Sequence, residues 1–142
     1  MNVQYVLDTN TVSAAFWPEP PDGLIERLKA SVGTAALPVP VWHELRYGCA
    51  LLESGSGKRV ALERFLHSVV LPHYPLLDYD RPAAEWHARE RARLRKAGKT
   101  PPFIDGQIAA VAAIRGATLV TRNLSDFEHF QDLEIESWVP AP

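Results

Sequence analysis

The sequence predicts an α/β protein: a three-layer α/β/α sandwich around a central, mainly parallel sheet. Three observations carry this. Short apolar, β-branched or aromatic runs recur along the chain, at "VQYVL" (3–7), "TAALP" (34–38), "YPLLDYD" (74–80), "ATLVT" (117–121) and "LEIESW" (133–138). Helical stretches separate them, which is the spacing parallel strands need for their crossover connections. The 142 residues, 46% hydrophobic and 23% charged, suit one globular domain (1–142) with a real core.

Taken in order, "VQYVL" reads as the first strand and a short helix follows it. "GLIERLKAS" is an amphipathic helix with Leu24, Ile25 and Leu28 on one side. After "TAALP", Pro40 suits the first turn of a helix, where its missing N–H would have had no partner anyway. On that helix Val41, Leu45, Gly48 and Leu52 follow the spacing of a core-facing stripe. "ESGSGK" (53–58) is a turn between helices, and "KRVALERFLHSVV" the next helix. "PAAEWHARERARLRKAG" is a highly charged helix closed by Gly98. "FIDGQIAAVAAIRG" (103–116) is apolar on nearly every side from Ile108 to Ile114, as a buried helix should be.

The totals exclude several classes. A formal charge of −2 advertises no global field for nucleic acid. One cysteine, Cys49, rules out an internal disulfide framework, and in an apolar helix it reads as packing. The start "MNVQYVLDTN" lacks the basic and long apolar regions of a signal peptide, and no run reaches membrane-span length, so a cytoplasmic location is expected. The five histidines (43, 67, 73, 87, 129) show no zinc-ligand spacing, and "HELRY" lacks the second histidine of H-E-x-x-H.

Acids fall where such a sheet presents its carboxyl edge. Asp8 ends the first strand, and Asp126 lies just beyond "ATLVT". Glu44 is about one turn into the helix after the second strand. Asp105 opens a helix that must run back to meet the strand after it. Each has an ordinary structural use: Asp8 and Asp126 as helix N-caps, Asp105 as a partner of the helix dipole. Glu44 sits at the border of the apolar stripe, with His43 and Arg46 on the outer face. Together the four predict a ligand site at the edge where open α/β sheets bind. Carboxylates crowded together repel unless protonated or bridged, and hard oxygen donors favour Mg²⁺, with Mn²⁺ as a possible substitute.

"VLDTNTVSAAF", "HELRYGC" and "PPFIDGQIAAVAAIRGATLVTRNLSDFE" closely resemble PIN-domain ribonucleases, specifically the VapC/FitB-like toxins of bacterial toxin–antitoxin pairs. The resemblance spans almost the whole chain and is most specific over 103–128. The family's acidic quartet falls on Asp8, Glu44, Asp105 and Asp126, and its helper positions on Thr9 or Asn10 and on Asn123. The resemblance implies a Mg²⁺-dependent endoribonuclease that leaves a 5′-phosphate and a 3′-hydroxyl. It also implies a cognate antitoxin, usually a small DNA-binding protein, and a homodimer. One local departure stands ahead of the glutamate, where Trp42 and His43 replace the usual small or polar residues.

RNA contacts are expected from Arg46 and Arg122, each near a site acid in sequence, and from Lys96 and Lys99 at the turn leading to Asp105. The competing reading of the arginine-rich segment is a solvated helix face with pairs such as Glu85–Arg89. Trp17, Trp42 and Trp86 are either core or interface residues. Rival site chemistries fit less well. A haloacid-dehalogenase-type phosphatase needs a second aspartate where Asn10 stands, and a receiver domain needs a lysine where "LVTRN" has Arg122. A non-catalytic PIN-fold subunit is the alternative of a different class, and none of the four acids is missing.

Overall fold

Five parallel strands form the sheet, β1 (Tyr5–Leu7), β2 (Ala35–Pro38), β3 (Leu76–Leu77), β4 (Thr118–Val120) and β5 (Glu134–Glu136), in the spatial order β3-β2-β1-β4-β5. This is a computed structural model, and it describes residues 2–139. The ends of the expected domain, 1 and 140–142, lie outside the described residues. Helices flank the sheet: α1 (Thr9–Ala14), α2 (Leu24–Ala30), α3 (Val39–Ala50), α4 (Gly57–Phe65), α5 (Leu71–His73), α6 (Arg81–Lys96) and α7 (Phe103–Ala113). None of them is long and apolar enough to cross a membrane among the described residues.

The strands are short, and the middle of the sheet is buried. Val6, Leu7, Ala35, Ala36, Leu37, Leu119 and Val120 are all fully inaccessible. At roughly 1.5–3 kcal/mol per large aliphatic side chain, these residues and Ile108 and Val111 of α7 supply much of the driving force. α7 lies against β1, β2 and β4 and packs along α6. The helices touch closely at Gly106, where a Cβ would overlap Nε2 of His87 on α6.

Helix ends follow local chemistry. Ser56 caps α4 by accepting from Arg59 N–H, and Asp80 caps α6 by accepting from Ala83 N–H. α6 closes on Gly98 at φ +80°, with Lys99 N–H donating to Leu94 C=O at 2.8 Å and Gly98 N–H to Arg95 C=O at 3.0 Å. That paired arrangement needs a left-handed residue, which glycine adopts without a Cβ penalty.

Three details differ from expectation. The buried stripe on α3 is Val41, Leu45 and Cys49, whereas Gly48 is exposed, because the i+4 step from Leu45 reaches Cys49 and the helix stops at Ala50 before Leu52. The helix after "ESGSGK" changes pitch: α4 runs into a π-helical turn (Leu66–Val70) and then α5. On α6, Glu85 pairs backward with Arg81 at 2.8 Å instead of forward with Arg89.

Candidate acidic site at the strand switch point

The chain winds outward from β1 in both directions, through β2 and β3 on one side and then β4 and β5 on the other. Between β1 and β4 the crossover reverses, opening a crevice beyond their carboxyl ends. The register pairs Leu7 with Val120, and Asp8 N–H continues the ladder to Val120 C=O at 2.9 Å. The next residues on the two strands, Asp8 and Thr121, therefore stand side by side over that crevice.

Asp8 is buried, at 6% exposure, and both its carboxylate oxygens accept hydrogen bonds. Thr9 N–H donates to Oδ1 at 2.7 Å, so Asp8 does cap α1, and Thr121 Oγ1 donates to Oδ2 at 2.9 Å. Thr121 is fully inaccessible and also accepts Asn123 N–H at 3.1 Å. Thr9 turns its hydroxyl outward to Glu44, donating to Oε1 at 2.6 Å. A chain of polar contacts thus runs from Asn123 through Thr121, Asp8 and Thr9 to Glu44, tying β4, β1 and α3 together.

Asp105 occupies the first turn of α7, and Asp126 the end of a 3-10 turn (Leu124–Asp126), where it is exposed. Asp126 is not an N-cap; its own N–H donates to Asn123 C=O at 3.1 Å. The carboxyl of Asp105 is pushed up to about 7, first by burial and then by the charges of Asp8, Asp126 and Glu44. Asp8 is also raised, chiefly by burial, with Glu44 and Asp126 adding to it and the bonds from Thr121 and Thr9 opposing it. Asp8 and Asp105 therefore each lie within Coulombic reach of the other three acids.

Among the described residues no Lys or Arg forms an ion pair with any of these four acids. Among the described residues no group of three His, Cys, Asp or Glu side chains is placed so as to hold a metal ion. No cationic side chain offsets the charges that Asp8 and Asp105 feel from the other acids, and the donors of all four are hard oxygens. Such a set fits a divalent cation of the Mg²⁺ or Mn²⁺ kind.

The helper positions divide. Thr9 and the backbone of Asn123 join the network, while Asn10 is exposed and contributes only its C=O, which accepts from Ser13 Oγ at 3.4 Å. The sequence reading passed over Thr121. Its signal is positional: it follows Val120 on β4 as Asp8 follows Leu7 on β1, and aligning the strand ends places it beside the carboxylate.

The expected RNA contacts also divide. Arg46 is half-buried and not on the outer face; its Nη1 is enclosed without a partner, and it lies within Coulombic reach of Glu63 on α4. Arg122 lays its guanidinium over Trp17, 5.0 Å from the ring centroid, with its Nε enclosed. Lys96 is exposed at the end of α6. Lys99 is exposed too and reaches His129 Nδ1 at 3.1 Å, while Arg93 Nη2 donates to His129 C=O at 2.8 Å. These two bonds lash the α6–α7 turn to the loop that follows Asp126. Of the tryptophans, Trp42 and Trp86 pack against the core, and Trp17 is 37% exposed.

Known proteins share this architecture. A sequence model of the PIN domain matches residues 5–133. VapC ribonuclease Y4jK of Sinorhizobium fredii is 32% identical over 139 residues, which is 96% of this chain and 99% of the relative. Toxin FitB of Neisseria gonorrhoeae is 34% identical over 86% of this chain and 89% of its own. Among solved structures, VapBC2 from Rickettsia felis, bound to a DNA fragment from their promoter, contains a chain that matches with a TM-score of 0.82. That chain is 28% identical, and the match covers 96% of this chain and 99% of that one.

Proposed function

Because the chain belongs to the PIN-domain family, among its VapC- and FitB-type toxins, we propose that it is the toxin of a type II toxin–antitoxin pair, a Mg²⁺-dependent endoribonuclease. The observation that carries this is the convergence of Glu44 and Asp126 on Asp8 and Asp105, both of which lie within Coulombic reach of all the other acids at the strand switch point. The whole chain acts as one PIN domain.

Asp8 and Asp105 are the most direct cation ligands, with Asp126 and Glu44 acting directly or through ordered water. Mn²⁺ substitutes for Mg²⁺. When bound, the cation supplies charge neutralisation at the scissile phosphate and a water acidified for attack. The rest of the chemistry belongs to the chain. Thr121 fixes the plane of the Asp8 carboxylate, and β1 beneath it places those oxygens more accurately than a loop would. Thr9 restrains Glu44. The acidic cluster, with no lysine or arginine paired to it, repels a bare RNA phosphate, and a bound cation would offset that repulsion at the scissile bond.

A nuclease that cuts its own cell's RNA needs an inhibitor. The VapBC2 complex bound to promoter DNA supports a cognate antitoxin for this chain, a small DNA-binding protein. A basic antitoxin side chain set among the four acids would be electrostatically matched to the site. The toxin works in the cytoplasm, as a homodimer.

The test is direct. Purified protein should cleave RNA with Mg²⁺ or Mn²⁺ and stop in chelator, Asp8→Asn should fold but not cleave, and antitoxin should titrate the activity away. Metal-dependent cleavage unchanged in Asp8→Asn would refute the site.

A further inference from the structure

Two residues before Asp105, the first residue of α7 is a large aromatic left largely open: Phe103 is 55% exposed. Arg91 of α6 lies over it, its guanidinium carbon 5.1 Å from the ring centroid, and Arg91 Nη1 donates to Pro101 C=O at 3.0 Å. The His87 ring packs against Phe103 from the other helix at 4.8 Å between centroids and meets Tyr79 through a 3.1 Å hydrogen bond. Along α6, Ala84, Ala88 and Ala92 leave space beside these rings. The result is a groove of about 390 Å³ walled by Tyr79, His87, Arg91, Arg95 and Phe103.

Its composition is selective. Three flat rings and two guanidinium groups line it, and no carboxylate does. Among the described residues neither Arg91 nor Arg95 belongs to an ion pair, whereas Arg81 and Arg93 on the same helix do. Arg91 is also held in place from two sides, so little freedom is lost when a second plane stacks on it. Unpaired cationic charge beside the exposed Phe103 ring is the combination that takes a nucleotide from a single strand, whose base has a free π-face and whose phosphate needs a counter-charge.

We propose that this groove binds a nucleotide of single-stranded RNA flanking the scissile bond, with its base stacked at Phe103 and Arg91 and its phosphate held by Arg95. The assignment rests on the ribonuclease reading above and adds to it a specificity-determining subsite outside the acidic cluster. It favours unpaired RNA over duplex, because a base inside a helix cannot offer its face to Phe103.

The experiment reads binding apart from cleavage. A fluorescein-labelled single-stranded RNA oligonucleotide is titrated into Asp8→Asn protein in chelator, by anisotropy, at several salt concentrations. Phe103→Leu, which keeps apolar bulk but no ring, should weaken binding about 5- to 100-fold, and Phe103→Tyr should restore it. Arg95→Gln should lower the salt slope by about 0.7, one phosphate contact on a single strand. A duplex of the same sequence should be insensitive to Phe103→Leu. Unchanged oligonucleotide binding by Phe103→Leu overturns the proposal. So does a Phe103→Leu effect confined to oligomeric mass in light scattering, which would make the groove a protein interface. Wild-type cleavage of RNA in Mg²⁺, measured in parallel, tests the nuclease reading separately. Cleavage with no effect of Phe103→Leu on binding sinks only the groove.

Discussion

Replacing Thr121 with valine keeps the shape of a fully buried side chain and deletes one hydroxyl. That hydroxyl donates to Asp8 Oδ2 at 2.9 Å and accepts Asn123 N–H at 3.1 Å, so Thr121→Val breaks two bonds at once. A hydrogen bond to a charged acceptor contributes about 1.5–3 kcal/mol, and the half-buried Asn123 N–H, left without its acceptor, costs about 1 kcal/mol more. The expected loss of stability is about 3 kcal/mol, or roughly a 10 °C fall in Tm for a chain of this size. Loss of a group that orients a ligand carboxylate should also weaken divalent-cation binding by about 10- to 100-fold. Urea unfolding in chelator, followed by circular dichroism, measures the first effect, and calorimetric titration with Mn²⁺ the second. Thr121→Ser is the control: it keeps both bonds, loses a methyl, and should cost only about 1 kcal/mol. A valine variant within about 0.5 kcal/mol of wild type, or a serine variant less stable than the valine one, would show that the hydroxyl does not organise the site.

Other expectations concern packing and charge. Gly106→Ala should cost at least about 2 kcal/mol because its methyl overlaps His87 Nε2, and adding His87→Ala should recover part of that loss in the same unfolding assay. The carboxyl of Asp105 is raised to about 7, so in chelator the folded state pays for its ionisation as pH rises from the unfolded value of 3.8 through 7. Asp105→Asn should therefore stabilise the cation-free protein above pH 7, by roughly 1–2 kcal/mol once solvent screening of this half-buried group is allowed for, while abolishing cleavage. Burial, with Arg91 nearby, lowers His87 below 6.5; the unfolded chain then takes a proton that the folded one refuses, so stability should decline as pH drops below 6.5. His87→Gln should flatten that decline in urea titrations run at several pH values. Glu90 is lowered first by its bond from Arg93, opposed by burial and helped by Gln131 N–H; its stabilisation is present above pH 4.5 and is lost as pH falls through the lowered value, an acid limb that Glu90→Gln should remove.

The layout of this molecule was largely readable from its residues, for reasons that differ by element. The strands announced themselves as short apolar runs, and the parallel order followed from the helices between them. The expectation that Asp8, Glu44, Asp105 and Asp126 share one sheet edge followed from chain direction, since a strand's end shares an edge with the start of the helix after it, and a helix that leads into a strand starts at that strand's far end. What escaped depended on register or rotation about an axis. Thr121 is an ordinary strand former by itself, and only the pairing of Leu7 with Val120 brings it beside Asp8. One residue decides whether Gly48 or Cys49 faces the core. Arg46 follows the acid by two positions, which on a helix turns it toward α4 and Glu63. Glu85 had an arginine four residues away on each side, and the sequence contains nothing that ranks Arg81 over Arg89.

The outward winding from β1 also divides the acids between the two halves of the chain. Asp8 and Glu44 come from the half of the chain that builds β1, β2 and α3, whereas Asp105 and Asp126 come from the half that builds α7 and β4. A nascent chain that has emerged only as far as α6 carries two of the four, and none of the strand that holds the Asp8 carboxylate in plane. The four-acid cluster can therefore assemble only once β4 and the turn after it have been made and docked.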